Sequence, residues 1–174
     1  TWEEGIAAFR ALAEADPRAT WMELGKTDSG KPLHALLLSA EPLPMPGLPG
    51  VLAAREAHPE RIRFLVNNAI HPGEPCGVDA SLALARQLLG RPHLPEGMGD
   101  EAGEWDANAA GIWPTADARS WEGAPADWSN ALIAIIPFYN VGGALNRGCC
   151  SRANQNGPLA YGFRGNARAF CLTR

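Results

Sequence analysis

Residues 61–75 read Arg-Ile-Arg-Phe-Leu-Val-Asn-Asn-Ala-Ile-His-Pro-Gly-Glu-Pro, and this stretch decides the fold. Its first half is a short apolar run that predicts a β-strand, and its second half is a polar turn stiffened by prolines. A helical stripe follows, made of Val78, Leu82, Ala85 and Leu89. A strand, a polar turn and a helix in this order are the repeating unit of an α/β fold.

A second apolar run predicts a central strand of the same sheet. Residues 131–137 read Ala-Leu-Ile-Ala-Ile-Ile-Pro, which is apolar on both faces, as a buried strand of a parallel sheet requires. This strand also leads into a polar segment that contains glycine, and ligand sites of open α/β sheets lie at such strand ends. We therefore predict an α/β fold with a mixed, mostly parallel sheet flanked by helices.

The first 60 residues predict a helix, a hairpin and a loop. Thr1 and Glu4 form a capping box in front of a helical pattern. Two short strand patterns follow at residues 20–26 and 33–39, and a polar turn between them indicates a hairpin. Residues 41–50 contain four prolines and two glycines, which predicts a loop.

The composition is that of one globular domain. The chain has 174 residues, 46% of them apolar and 20% charged, which is enough to bury a sizeable core. Because no apolar run approaches the roughly 20 residues that span a bilayer, we expect no membrane span. The four cysteines match no zinc-knuckle spacing and decide little about the redox environment. The cellular location stays open, with a secreted or periplasmic protein slightly favoured.

The charge is unevenly distributed along the chain. The formal net charge is -4, yet residues 141–174 hold five arginines and no acid. The forked guanidinium of arginine suits a discrete carboxylate or phosphate. Because the chain is acidic overall and has only two lysines, we expect a compact anion site and no nucleic-acid partner.

His71 and Glu74 are candidate metal ligands. They lie three positions apart on the proline-flanked turn, where Gly73 permits the bend. An imidazole nitrogen and a carboxylate oxygen at this spacing can chelate one zinc ion at about 2.0–2.2 Å. The same spacing also occurs by chance, as a surface histidine beside a helix-capping glutamate. The position at a strand end favours the metal site without excluding the second interpretation.

Several motifs follow one another in a fixed order along the chain. They are His71-Pro-Gly-Glu74, Ile136-Pro-Phe-Tyr-Asn-Val-Gly-Gly, Ser151-Arg-Ala-Asn-Gln-Asn-Gly157, Tyr161-Gly-Phe-Arg-Gly-Asn-Ala-Arg168 and Leu172-Thr-Arg174. Together they resemble the zinc metallocarboxypeptidases of the carboxypeptidase A type, over about residues 20–90 and 129–174. The resemblance implies that residues 1–174 are the N-terminal portion of one catalytic domain. Within this domain we predict an acidic insertion at about residues 91–130, which holds four of the six tryptophans.

The resemblance also implies roles for individual residues. His71 and Glu74 match the first two ligands of Zn²⁺. Arg152 resembles the arginine that polarises the scissile carbonyl and supports the oxyanion, with Arg147 as the alternative for this role. The substrate's terminal carboxylate would be bound by the two residues that match its binding site, Thr173 and Arg174. Thr173 replaces the family's asparagine, so we expect weaker binding of that carboxylate.

Other departures concern the metal. Cys171 replaces an acid that orients the first zinc histidine in the family, and the family's third ligand and catalytic glutamate match nothing in this sequence. None of His34, His58 and His93 stands in a matching motif. Since a catalytic zinc site needs three protein ligands and a water, we expect this chain to be inactive alone. We also expect a truncated sheet with an unpaired edge, through which the chain could self-associate.

The function implied is zinc-dependent hydrolysis of C-terminal peptide bonds, with a peptide or protein C terminus as the substrate. A non-catalytic relative that binds C-terminal peptides is the alternative from a different class. A zinc deacylase of the aspartoacylase type is a further alternative, because it shares the His-x-x-Glu spacing. Such deacylases usually have Gly-Asn where this chain has Pro72-Gly73, so this alternative is less favoured.

Overall fold

The computed structural model describes residues 1–74, 76–90, 127–148, 161–162 and 164–168. The helices and strands, in chain order, are α1 (Trp2–Ala15), β1 (Ala19–Lys26), β2 (Pro32–Ser39), α2 (Gly47–Ala57), β3 (Ile62–Asn67), α3 (Cys76–Leu88), β4 (Ala131–Ile136), α4 (Val141–Leu145), β5 (Arg147–Gly148) and β6 (Tyr161–Gly162). Within these ranges no helix has the length and apolar character needed to cross a bilayer.

Four strands form one mixed sheet in the order β1-β2-β4-β3. β1 and β2 are the predicted hairpin, β2 pairs antiparallel with β4, and β3 pairs parallel with β4. The prediction of an α/β fold with a mixed sheet is confirmed. The expected parallel majority is not found among these four strands, since two of the three pairings are antiparallel. One of these two is the hairpin, because a short turn can join only antiparallel strands, and the other is the long-range pairing of β2 with β4.

The core lies between the sheet and the helices α1 and α3. Phe9 of α1 and Ala85 of α3 are fully buried there, together with Leu36, Leu38 and Ile135 of the two central strands. Leu36 and Leu38 share a face because side chains two apart in a strand point the same way. β4 is buried along most of its length, as its apolar composition predicts.

The sequence predicts where α1 begins but does not predict α2. α1 begins at the predicted capping box, in which the Thr1 hydroxyl accepts a hydrogen bond from the Glu4 N–H. The loop predicted for residues 41–50 is wrong at its end, because α2 begins at Gly47. Pro49 is compatible with this helix because it lies in the first turn, where N–H groups have no partner within the helix.

A cluster around Arg18 joins the C-terminal end of α3 to the residues after α1 and before β4. Arg18 donates to both carboxylate oxygens of Asp16, at 3.0 and 2.8 Å, and to the Leu89 carbonyl at 2.8 Å. Trp128 Nε1 donates to the Leu88 carbonyl at 3.0 Å. These two donors satisfy carbonyls that have no partner within a helix. The hydrogen bond to the buried Asp16 raises the pKa of Arg18.

We expect Arg18→Ala to lower the free energy of unfolding by about 1–3 kcal/mol, because the buried Asp16 carboxylate loses its two guanidinium donors and keeps the backbone N–H of residue 18. Urea unfolding measures the loss. Arg10→Ala is the matched control, since Arg10 forms an exposed pair with Glu14 at 3.8 Å. Such pairs contribute less than about 1 kcal/mol. Equal losses in the two variants would contradict a stabilising role for the Arg18 cluster.

β3 lies at one edge of the described sheet and exposes apolar side chains. Ile62, Phe64 and Leu65 are 54%, 52% and 65% exposed. The Ile62 N–H donates to the Asn130 carbonyl on the β4 side at 2.9 Å. Alternate residues of a strand direct their backbone groups to opposite sides, so Arg63 and Leu65 direct theirs away from β4. An apolar edge of this kind is a template for pairing with another chain.

We expect the chain to self-associate through β3, and the sedimentation coefficient to rise with protein concentration. Leu65→Lys should keep the chain monomeric, because lysine on an exposed edge opposes strand pairing. Leu24→Lys is the matched control, since Leu24 is 49% exposed on β1 at the opposite edge. A wild-type chain that stays monomeric at every concentration, or an equal effect of both substitutions, would contradict pairing through β3.

Candidate metal centre

The carboxyl ends of β3 and β4 lie side by side, because the two strands are parallel neighbours. Hydrogen bonding continues past both strands. The Asn68 N–H donates to the Ile136 carbonyl at 3.0 Å, and the Tyr139 N–H donates to the Asn68 carbonyl at 2.9 Å. The Asn140 N–H then donates to the Ala69 carbonyl at 3.1 Å. The two segments therefore stay hydrogen-bonded to each other up to Ala69, two residues before His71.

His71 and Glu74 are brought together by a tight turn. The Glu74 N–H donates to the His71 carbonyl at 2.9 Å. His71 Nδ1 lies 3.7 Å from Glu74 Oε2. The His71 side chain is 12% exposed and that of Glu74 is 46% exposed, so the imidazole lies against the body of the protein while the carboxylate reaches solvent.

The His71–Glu74 pair fits two positions of a zinc coordination sphere. Two ligands at about 2.1 Å from a tetrahedral ion lie about 3.4 Å apart, close to the spacing of the two side-chain atoms. The described ranges contain no group of three or more His, Cys, Asp or Glu residues that could hold a metal ion. The pair by itself offers two of the three protein ligands that a catalytic zinc site needs.

The backbone reaches the turn through a residue in an unusual conformation. Ala69 has a φ of 49° and is 7% exposed. This left-handed region costs roughly 1–2 kcal/mol for a residue with a Cβ. Such a conformation persists only where the surrounding structure holds it, and sites of this kind cluster at functional positions.

Asn68 fixes α3 to the end of β3. Its Nδ2 donates to the Ser81 hydroxyl at 2.8 Å, and this hydroxyl donates to the Val78 carbonyl at 3.0 Å. A Cβ on Gly77 would lie 2.9 Å from Asn68 Oδ1, so glycine permits this close approach. The helix that follows the His71–Glu74 turn is therefore fixed independently of the turn itself.

The predicted substrate-binding residues Arg152, Thr173 and Arg174 lie outside the described residues, and so does Cys171. Arg147 is described, and it lines a cavity of about 310 Å³ with Pro72 of the turn. Most of the predicted 91–130 insertion likewise falls outside the described ranges. Its Trp128 packs against the core and contacts α3 as described above.

The other two histidines within the described residues, His34 and His58, have neighbours outside the His71–Glu74 turn. The His34 ring stacks on Trp21 with 4.8 Å between centroids, and burial lowers its pKa. His58 Nδ1 lies 3.3 Å from Glu60 Oε1 at the surface. His93 is not among the described residues.

Two buried polar residues beside the turn have no role predicted from the sequence. Asn68 and Asn140 are 8% and 2% exposed. Asn140 caps α4, so an Asn-x-x-Gly spacing after an apolar strand is the signal that could have identified it. The positive φ of Ala69 has no signal in the sequence, because this conformation usually falls on glycine or asparagine.

No protein-family model matches the sequence, and no curated protein matches it. Among solved structures, a candidate carboxypeptidase A from Shewanella denitrificans matches 99% of this chain, with a TM-score of 0.55 and 16% identity. The chain has a carboxypeptidase-like fold. It spans 30% of the length of that carboxypeptidase-like structure.

Two further solved structures are similar to the chain. A metallo-carboxypeptidase from Burkholderia cenocepacia matches 86% of this chain and 30% of its own length, with a TM-score of 0.48 and 22% identity. A candidate carboxypeptidase from Burkholderia mallei matches 86% of this chain and 29% of its own length, with a TM-score of 0.45 and 20% identity.

Proposed function

We propose that this chain is the part of a zinc-dependent carboxypeptidase that supplies two of the three metal ligands, His71 and Glu74. The observation that carries the proposal is the 3.7 Å separation of His71 Nδ1 and Glu74 Oε2. This pair lies on the turn at the carboxyl end of β3, where ligand sites of α/β sheets are found. The carboxypeptidase-like fold supports the same assignment.

The surroundings of the two side chains suit a catalytic metal. His71 is nearly buried, which limits competition from water for its ring nitrogen, whereas the exposed Glu74 leaves the site open to a substrate. A bound zinc ion would supply Lewis acidity toward a carbonyl and a water of lowered pKa. The substrate in this proposal is the C terminus of a peptide or protein.

Residues from the last part of the chain carry the remaining roles. Arg152 donates hydrogen bonds to the oxygen that gains negative charge during peptide hydrolysis. Arg174 binds the substrate's terminal carboxylate as a bidentate partner, which selects the last peptide bond. Thr173 contributes one hydroxyl to the same carboxylate, so the binding there is weaker than with an amide.

One observation favours the non-catalytic alternative for the isolated chain. Among the residues that the structure describes, the turn brings together two candidate metal ligands and not three. A chain with this site could bind C-terminal peptides without cleaving them. The two functions therefore differ in turnover rather than in the location of the site.

We expect the chain to bind Zn²⁺, and His71→Ala and Glu74→Gln to weaken binding at least about tenfold, because each removes one of the two ligands. Competition with a chromophoric chelator measures the affinity. His58→Ala is the matched control, since it removes another histidine that lies beside a carboxylate, with 3.3 Å between His58 Nδ1 and Glu60 Oε1. Equal affinity in wild type and His71→Ala would contradict the proposed site.

We expect no turnover of a blocked dipeptide by the zinc-loaded 174-residue chain above the level of its His71→Ala variant, because a third ligand and a general base are needed. Release of the C-terminal amino acid measures turnover. A wild-type rate clearly above the control would reject the non-catalytic alternative. It would also show that the chain contains the complete machinery.

A further inference from the structure

The side chain of Asn140 bonds to three separate segments of the chain. It is 2% exposed, and its Nδ2 donates toward the carbonyls of Ile70 at 3.2 Å, Arg164 at 3.2 Å and Gly165 at 3.0 Å. Its Oδ1 accepts from the Gly143 N–H at 2.8 Å. One buried amide thus joins the end of β3, the beginning of α4 and the 164–165 segment.

The donors of Asn140 matter because its hydrogen bond to the Gly165 carbonyl is buried and those to the Ile70 and Arg164 carbonyls are partly buried. An asparagine amide carries two N–H donors, so three carbonyls share them, with one donor bifurcated. An acceptor without a donor in such a place is costly. Asn140 contacts both residues before His71, since its side chain reaches the Ile70 carbonyl and its N–H reaches the Ala69 carbonyl at 3.1 Å.

The strained residue Ala69 lies in the backbone segment that Asn140 contacts. Ala69, with its φ of 49°, is two residues before His71. A residue with a Cβ returns to negative φ when its surroundings no longer hold it. Rotation at Ala69 would redirect the following backbone and with it the His71 imidazole.

We propose that Asn140 is a positioning residue, whose side-chain amide holds the strained backbone before His71 and thereby sets the His71 imidazole relative to the Glu74 carboxylate. The inference deepens the proposed function and rests on it for the identity of the bound ion. The positioning itself is a property of the metal-free chain and can be measured without zinc.

Asn140→Asp is the test variant. Aspartate has nearly the same size and keeps an oxygen that accepts from the Gly143 N–H, but it places a carboxylate oxygen against three carbonyls. Asn140→Ser is the second variant, and it covers the case in which Asn140→Asp does not fold. Serine still caps α4, whereas its shorter side chain loses the donors to the distant carbonyls.

Two controls separate positioning from a general loss of stability. Arg18→Ala lowers stability through a cluster at the other end of α3, remote in sequence from the turn. Asn146→Asp makes the same chemical change at an exposed position at the end of α4. Both controls should leave the geometry of the turn unchanged.

The first readout is the hydrogen exchange rate of the Glu74 N–H in the metal-free chain, because this group donates to the His71 carbonyl across the turn. We expect the rate to rise at least about tenfold in the two Asn140 variants and to stay within about twofold of wild type in both controls. Unchanged exchange in the Asn140 variants, or an equal rise in Arg18→Ala, would overturn the proposal.

The second readout is the dissociation constant for Zn²⁺, measured by chelator competition on the same proteins. We expect it to rise about 10–100-fold in the Asn140 variants, as is typical when a residue that orients a metal ligand is lost. The controls should bind like wild type. If the wild-type chain binds no zinc, the proposed function fails, while the exchange rates still decide the role of Asn140.

Discussion

The parallel pairing of β3 with β4 is the constraint on which the site depends. Because the two strands run in the same direction, the polar segments that follow them leave the sheet at one edge. The hydrogen bonds among these segments continue the ladder beyond the strands and carry the chain to His71. An antiparallel pairing would have placed the two polar segments at opposite ends of the sheet, with no common site.

Two buried amides hold the segments around the site together. Asn68 connects the end of β3 to α3, and Asn140 connects it to α4 and to residues 164–165. The Asn140 amide has both its nitrogen and its oxygen occupied by protein partners, which is the condition under which buried polar groups make a structure rigid. The strained φ of Ala69 fits this arrangement, because a rigid frame can hold a backbone conformation that the local chain disfavours.

Much of the fold could be predicted from local sequence patterns. The capping box located α1, alternation and turn residues located the hairpin, and an unbroken apolar run located β4. α2 was missed because its prolines and glycines are typical of loops, although a proline in the first helical turn costs little. The balance of parallel and antiparallel pairings could not be read, since it depends on how the hairpin joins β4, which is a long-range contact.

The candidate site could also be predicted in part, because one of its features is a local sequence pattern. The spacing of His71 and Glu74 suggested a chelating pair, and the turn between them brings the two side chains to 3.7 Å. The Asn-x-x-Gly spacing could have located Asn140 as a helix cap, but its contacts beside the turn were not predictable, because those partners lie 70 and about 25 residues away in the sequence. Zinc-edge X-ray absorption of the zinc-loaded chain tests the central claim most directly. The account predicts imidazole scattering and oxygen at about 2.0–2.2 Å, with the imidazole contribution lost in His71→Ala. A shell of sulfur ligands at about 2.3 Å, or a spectrum unchanged by that substitution, would contradict it.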